Sequence, residues 1–370
     1  MEADSQARQG SSAVAVAACG YWQRRGMPTR PGQVVAAPSA RLLLLAVLAA
    51  AGEGSVLLPR PSAGWHAPQA RLLDRPVHTV PVPVECGGVP DPVALRETVR
   101  RARAEGEEPR VLVLSVADDC TGTVAPPELL HEVCEAAGDD GLLIVSDESW
   151  RDTSHVPHDT VLVSPAEMVH GGRESDAVVV LVGLGETLLP HGPQAGIARF
   201  PDSGRGHGLA GSVRAVLAAL DAQLHAPADG VVADALTEPE AARTHRTTAA
   251  RSHGALLGAL HDVCTEAGAL CRPPRAGRHV YADLEPLRPR LEAHGVRDSA
   301  GLEAELVRRL GPYAKGGHRL GDEPQALRVQ LSGSLLTAGP PGPAPFASPD
   351  VSGALDSLKS VLDGLTAPGE

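Results

Sequence analysis

Aromatic side chains are nearly absent from this 370-residue chain, where Phe, Tyr and Trp together make up 2%. Burial must therefore come mainly from Leu, Val and Ala, and a hydrophobic content of 43% supplies enough for a sizeable core. Lysine is scarcer still: Arg dominates the 33 basic residues, and only Lys315 and Lys359 are lysines. No Cys-x-x-Cys pair or Cys/His ligand spacing occurs among the six cysteines, so they read as reduced cytosolic thiols rather than a disulfide or metal framework. His155 and His158 have the spacing of metal ligands but no third partner nearby, and read as a solvated loop. With a net charge of −12 and scattered basic residues, nothing suggests a nucleic-acid surface. The longest apolar run, residues 42–51, falls well short of the roughly 20 residues a bilayer span needs, and reads as a buried helix. An acidic, polar start lacks the basic region of a secretory signal. The expectation is a cytoplasmic protein with no metal, nucleic-acid or membrane partner.

What is present is a set of short apolar runs at 111–114 (VLVL), 142–145 (LLIV) and 178–182 (VVVLV). None alternates with polar residues, so each reads as a strand covered on both faces, the mark of a parallel sheet. Helical segments separate them. Asp91-Pro92 suits an N-cap and first turn, and Pro126-Pro127 opens a helix with Leu129, Leu130, Val133 and Cys134 on one stripe that Gly138 closes. The order of strands and helices predicts an open α/β sheet. Each run ends in a polar or glycine-rich turn, at 118–122, 146–150 and 183–186. Ligands of open α/β sheets bind beyond the carboxyl ends of the strands, so these turns should converge on one site. The second half predicts helices over 209–269, a strand at 279–283, a helix at 299–310 and a strand at 326–331. A Gly/Pro linker at 339–343 precedes a final amphipathic helix or tail. Leu188 stands where a dinucleotide loop beginning at Gly183-x-Gly185 would need its third glycine, and no G-x-S-x-G elbow is present. His191 and His318 read as ordinary loop residues.

Five segments, in order, resemble the class I/II aminotransferases, fold type I enzymes that use pyridoxal phosphate (PLP). Thr121-Gly122-Thr123 resembles the end of the family's Asn-Pro-Thr-Gly-Thr turn, and Asp147-Glu148-Ser149-Trp150 its Asp-Glu-x-Tyr. Residues 180–186 resemble its strand running into Ser-x-Ser-Lys, and 190–201, with Gly192, Gly196 and Arg199-Phe200-Pro201, its Gly-Gly-x-Arg-x-Gly segment. Arg328 falls where the family places an arginine for the substrate carboxylate. The resemblance spans roughly residues 15–335. It implies a large domain with a mixed, mostly parallel sheet (31–255) and a smaller α+β domain (256–338). An N-terminal segment (1–30) packing with the small domain and a linker with a C-terminal helix or tail (339–370) complete the division. It also implies a homodimer and an amino acid or 2-oxo acid substrate.

The same resemblance exposes what has changed. PLP needs a lysine for its Schiff base, a carboxylate at its ring nitrogen, and hydroxyls, an arginine and a helix N-terminus for its phosphate. Asp147 matches the carboxylate and Arg328 the substrate arginine. Glu186, however, occupies the lysine position, Gly183 and Gly185 replace two serines, and Gln194 falls at the phosphate arginine. Asp119 replaces an asparagine, Trp150 a tyrosine, and Ala40 lacks the hydroxyl expected in the phosphate loop 37–41. Ala63 stands near the position of a ring-stacking aromatic, for which Trp65 is the candidate substitute. A carboxylate forms no imine. At an effective dielectric of 20 and about 6 Å, each like-charge pair among Glu186, Asp147 and Asp119 costs roughly 3 kcal/mol. Lys315, in a small-lobe loop, and Lys359, in the tail, are expected away from the crevice. The reading is a catalytically degenerate member. Its alternatives are a transaminase holding PLP or pyridoxamine phosphate non-covalently, and a cofactor-free acid/base enzyme built on Asp119, Asp147 and Glu186, or a carboxylate-binding module.

Overall fold

The computed structural model describes residues 12–83, 86–168, 177–190, 192–225, 228–337 and 350–366. The predicted linker at 339–343 and His191 lie outside the described residues. In chain order the strands of the larger lobe are β1 (Val34–Ala37), β2 (Ser55–Arg60), β3 (Val77–Pro81), β4 (Pro109–Ser115), the short ribbon β5 (Ala117–Asp118) and β6 (Thr123–Val124), β7 (Leu143–Asp147), β8 (Val178–Gly183) and β9 (Gly196–Arg199). Seven of them form one sheet in the order β1-β9-β8-β7-β4-β2-β3. Every pairing is parallel except the two that β9 makes with β1 and β8. The three apolar runs are β4, β7 and β8, side by side at its centre.

Period-2 alternation explains why those runs are continuous. Leu57, Leu112, Leu114, Ile144, Val178 and Val180 pack into one core, while Val56, Leu58, Val111, Val113, Val145, Val179 and Leu181 pack into another on the opposite face. Helices cover both. Asp91 caps Pro92–Ala104 as predicted, its Oδ1 accepting the Ala94 N–H at 2.8 Å. The helix Pro127–Asp139 runs past Gly138, and the chain turns instead at Gly141, where φ is +71°. Ser39 caps the helix Ala40–Ala50. A Cβ at Gly196 would fall 2.5 Å from the Ala40 nitrogen, so only glycine lets β9 pass under that helix start.

Strands β10 (Leu270–Cys271), β11 (His279–Asp283), β12 (Ala314–Gly316) and β13 (Arg328–Ser332) form an antiparallel sheet in the order β10-β11-β13-β12. It belongs to a smaller lobe whose core includes Val280, Leu302, Val329 and Leu331. The 27-residue helix Glu240–Glu266 belongs to both lobes, since Leu257, Leu260 and Cys264 of its second half enter the smaller core. One expectation needs correcting. The helix Ala13–Gln23 packs through Val14, Ala18 and Trp22 on Val232 and Leu236 of the larger lobe, not on the smaller one. The reason is its apolar face, which matches that of Ala228–Leu236. Of the two readings of the C-terminal segment, a helix or a tail, the helix is the one observed: Leu358, Leu362 and Leu365 of Val351–Thr366 are buried in the small-lobe core.

Candidate functional site

The three turns do converge. They line a cavity of about 640 Å³ at the carboxyl end of the large sheet, closed on its other side by the smaller lobe. Of the residues singled out from sequence, Ala40, Asp119, Asp147, Trp150, Glu186 and Gln194 all line it, with Trp65. Arg328 does not. It opens onto a neighbouring cavity of about 380 Å³ that shares Asp118, where its Nε lies 2.9 Å from Asp283 and its Nη1 3.1 Å from Asp322. The residue of β13 that reaches the larger cavity is Gln330, whose Nε2 donates to the Cys120 carbonyl at 3.0 Å. Arg328 and Gln330 share one strand face, and the two cavities divide it.

Asp147 ends β7 and is buried. Its Oδ1 accepts the Ser149 N–H at 3.0 Å and the Ser149 hydroxyl at 2.6 Å. That hydroxyl accepts the Gly183 N–H at 2.8 Å, linking two of the converging turns. His66 Nε2 stands 3.8 Å from Asp147 Oδ2, within ion-pair reach but too far for a hydrogen bond. Burial pushes the Asp147 carboxyl up, but His66 and Ser149 together outweigh it and hold the group below its ordinary value. Asp147 is therefore not the raised carboxyl that a cluster of three crowded acids would require. Glu148 turns away, pairing with Arg151 at 2.9 Å in the interior.

Glu186 lies on the turn after β8 and meets Arg278 Nη1 at 3.0 Å. Arg278 also donates from Nη2 to the Glu186 carbonyl at 3.2 Å and sits 5.4 Å over the Trp150 ring. The repulsion anticipated among the acids thus has a counter-charge, delivered from the smaller lobe. Asp119 takes a second contact from the same strand entrance: its Oδ1 accepts the Arg278 N–H at 2.6 Å, and its Oδ2 lies 2.9 Å from His279 Nδ1. Gly185 leaves room for Gln194, whose Oε1 would be 3.0 Å from a Cβ there. Arg199, at the end of β9, is spent on the Thr29 hydroxyl at 3.0 Å.

Lys315 was expected elsewhere and requires a correction. It is carried by β12, a strand rather than a loop, and lines the same cavity as Asp147 and Glu186. Lys359 is remote, tied to Glu266 at 2.9 Å. Arg41 also lines the cavity, 5.7 Å over the Trp65 ring. Among the described residues neither Arg41 nor Lys315 has an ion-pair partner, so two cations face the cavity unspent. No group of three metal-ligating side chains occurs among the described residues. His155 is buried, its Nε2 3.0 Å from the Gly277 carbonyl, and His318 Nδ1 is 3.1 Å from the Ser299 hydroxyl.

His66, Arg278, His279 and Lys315 were missed from sequence. For His279 a signal existed: in His279-Val280-Tyr281-Ala282-Asp283 the even positions are apolar and buried, leaving the odd ones for the opposite face.

Comparison with known proteins agrees with this fold. A family model described as aminotransferase class I and II matches residues 6–334. The structure is similar to that of aspartate aminotransferase from Thermus thermophilus with maleate, at 18% identity and a TM-score of 0.74, covering 95% of this chain and 85% of that one. It is also similar to aromatic aminotransferase from Pyrococcus horikoshii OT3, at 16% identity and a TM-score of 0.77, covering 95% and 85%. N-succinyldiaminopimelate aminotransferase from Mycobacterium tuberculosis matches at 22% identity and a TM-score of 0.74, covering 95% and 83%. The chain therefore belongs to the class I and II aminotransferase family, with the fold of the aspartate aminotransferases.

Proposed function

We propose that this protein is a non-transaminating member of its family that binds a small carboxylate in the cavity between its lobes. The observation that carries the reading is Glu186, a carboxylate facing the cavity and engaged by Arg278, at the position matched to the family's Schiff-base lysine. The surrounding residues do not fit PLP held in the family's manner. Gly183, Gly185 and Ala40 offer no hydroxyl and Gln194 supplies no charge, which leaves Ser39, whose Oγ accepts the Leu42 N–H at 3.2 Å and keeps its own O–H to donate, as the one hydroxyl of residues 37–41. Asp147 and Trp65 alone would suit the cofactor ring. Arg41 and Lys315 supply the attraction for an anionic ligand, whereas Arg328 already has two carboxylates of its own. A cytoplasmic homodimer is part of this reading, in line with the resemblance; light scattering of the purified protein tests the dimer.

The decisive experiment is an absorbance spectrum and intact mass of the purified protein, with and without added PLP and borohydride. The expected result is no band beyond the protein ultraviolet absorbance and no covalent adduct. A small carboxylate at 100 times its Kd should stabilise the fold by about 2.7 kcal/mol. A second reading, an active transaminase holding PLP or pyridoxamine phosphate by other contacts, draws on Lys315 at the same cavity. A reduced adduct on Lys315, or a half-reaction with an amino acid, would establish it and sink the first.

A further inference from the structure

His279 stands at an unusual junction. Its Nδ1 is buried without an aligned hydrogen-bond partner among the described residues, and the Asp119 carboxylate lies 2.9 Å away. The contact has ion-pair distance without hydrogen-bond alignment, a looseness common in unliganded sites. Asp119 is itself fixed, because its other oxygen accepts the Arg278 N–H at 2.6 Å. The His279 side chain is 25% exposed and lines the 640 Å³ cavity, so with Nδ1 buried its open part is the edge carrying Nε2. An imidazole oriented by a carboxylate, with its second nitrogen free toward a ligand space, is the arrangement of a general base.

The charges around it specify what the base would act on. Asp118 and Asp119 face the cavity from the turn after β4, Glu186 from the turn after β8, Arg278 from the strand entrance and Lys315 from β12. His253, on the helix Glu240–Glu266, feels both Arg278 and Asp119. Glu186 and Arg278 neutralise each other, which leaves Lys315 and Arg41 as attractors for a carboxylate and for the oxygen of an adjacent carbonyl. We infer that His279, positioned by Asp119, is a general base that takes a proton from the carbon beside the carbonyl of a small 2-oxo carboxylate. In that step the C–H bond breaks, and its electron pair forms the C=C bond of the enolate while the carbonyl π pair moves to oxygen. The proton rests on His279 Nε2, where Asp119 balances the imidazolium, and returns to carbon in the reverse step. No oxidant, metal or cofactor enters the balance. The inference rests on the non-transaminating reading and gives that reading an activity.

The test uses the full-length protein, shown free of PLP by its spectrum, with pyruvate in D2O; loss of the methyl proton signal is followed by NMR. The wild type should exchange those protons faster than buffer. His279→Gln should slow the enzyme-dependent rate about 10²–10⁴-fold, and Asp119→Asn should slow it with KM unchanged. Asp119→Asn keeps an acceptor for the Arg278 N–H, and His279→Asn is the second variant should the first not fold. A merely structural role would lower the melting temperature and leave the rate per folded molecule alone, which overturns the inference. Pyruvate that binds, by saturation-transfer NMR, but exchanges no faster than buffer overturns the base while the ligand-binding reading stands. A PLP imine in the spectrum overturns the reading beneath both.

Discussion

Two clusters of arginine and carboxylate in this protein use the same chemistry to opposite ends. In the first, buried Glu238 accepts Arg24 Nε at 2.8 Å, Arg25 at 2.9 Å and Arg246 Nη1 at 2.7 Å, with Asp152 alongside. Arg25 also lies 3.5 Å over the Tyr21 ring, and Tyr21 donates to Asp152 at 3.1 Å. The charges face one another, and the cluster ties Ala13–Gln23 to Glu240–Glu266 and to residues 151–153. In the second, at the cavity, Glu186 and Arg278 are matched but Arg41 and Lys315 face open space. A satisfied cluster is scaffold; one with unspent charge is a receptor.

The comparison breaks most severely at Glu238. Glu238→Gln should cost about 2–3 kcal/mol in urea unfolding, because the partly buried Arg25 and Arg246 are left with Asp152 as their one carboxylate. A loss below about 1 kcal/mol would show that the cluster stabilises little. Next comes Asp322→Ala in the Arg328 cavity, expected to cost about 2 kcal/mol. That is less than for a fully buried pair, because Arg328 is 36% exposed. Acid should separate the clusters further. The arginines around Glu238 overcome its burial and hold its carboxyl down from the ordinary 4.5 to about 2. A depressed folded-state value contributes stability above pH 4.5 that is lost as pH falls toward about 2. Unfolding measured across that window should be steeper in pH for the wild type than for Glu238→Gln. The smallest effect on stability belongs to Arg41→Ala, within about 0.5 kcal/mol, although this change should abolish most of the stabilisation that a bound carboxylate confers. Equal melting shifts with acetate or pyruvate in the wild type and variant would remove Arg41 from the receptor.

How far the sequence could be read follows from what each pattern encodes. Strands covered on both faces announce themselves, so β4, β7 and β8 and the turns after them were legible, and with them Asp119, Asp147, Trp150 and Glu186. Strands β1, β2, β3 and β9 were not singled out, because their short runs carry Pro, Ser, Ala and Arg among the apolar residues. The smaller lobe's strands were located at 279–283 and near 326–331, yet their chemistry was missed. A half-covered strand shows its core face by apolar residues, but only the facing lobe decides what the other face does. That is why Arg328 was assigned to a site that Gln330 reaches. It is also why Arg278, His279 and Lys315 went unrecognised: their partners, Glu186, Asp119 and the cavity itself, lie about 90 or more residues away in sequence.

The scarcity of lysine carries over into how this molecule meets reactive small molecules. Sugars, aldehydes and activated esters seek amines, and here they find only two ε-amino groups beyond the chain terminus. Lys359 holds Glu266 across a helix pair, while exposed Lys315 lines the interlobe hollow. Acylation of lysine would therefore be confined to two addresses, one at the cavity and one on the C-terminal helix. Tagging of Lys315, counted against Lys359 as an internal clock, becomes a gauge of whether that hollow is filled.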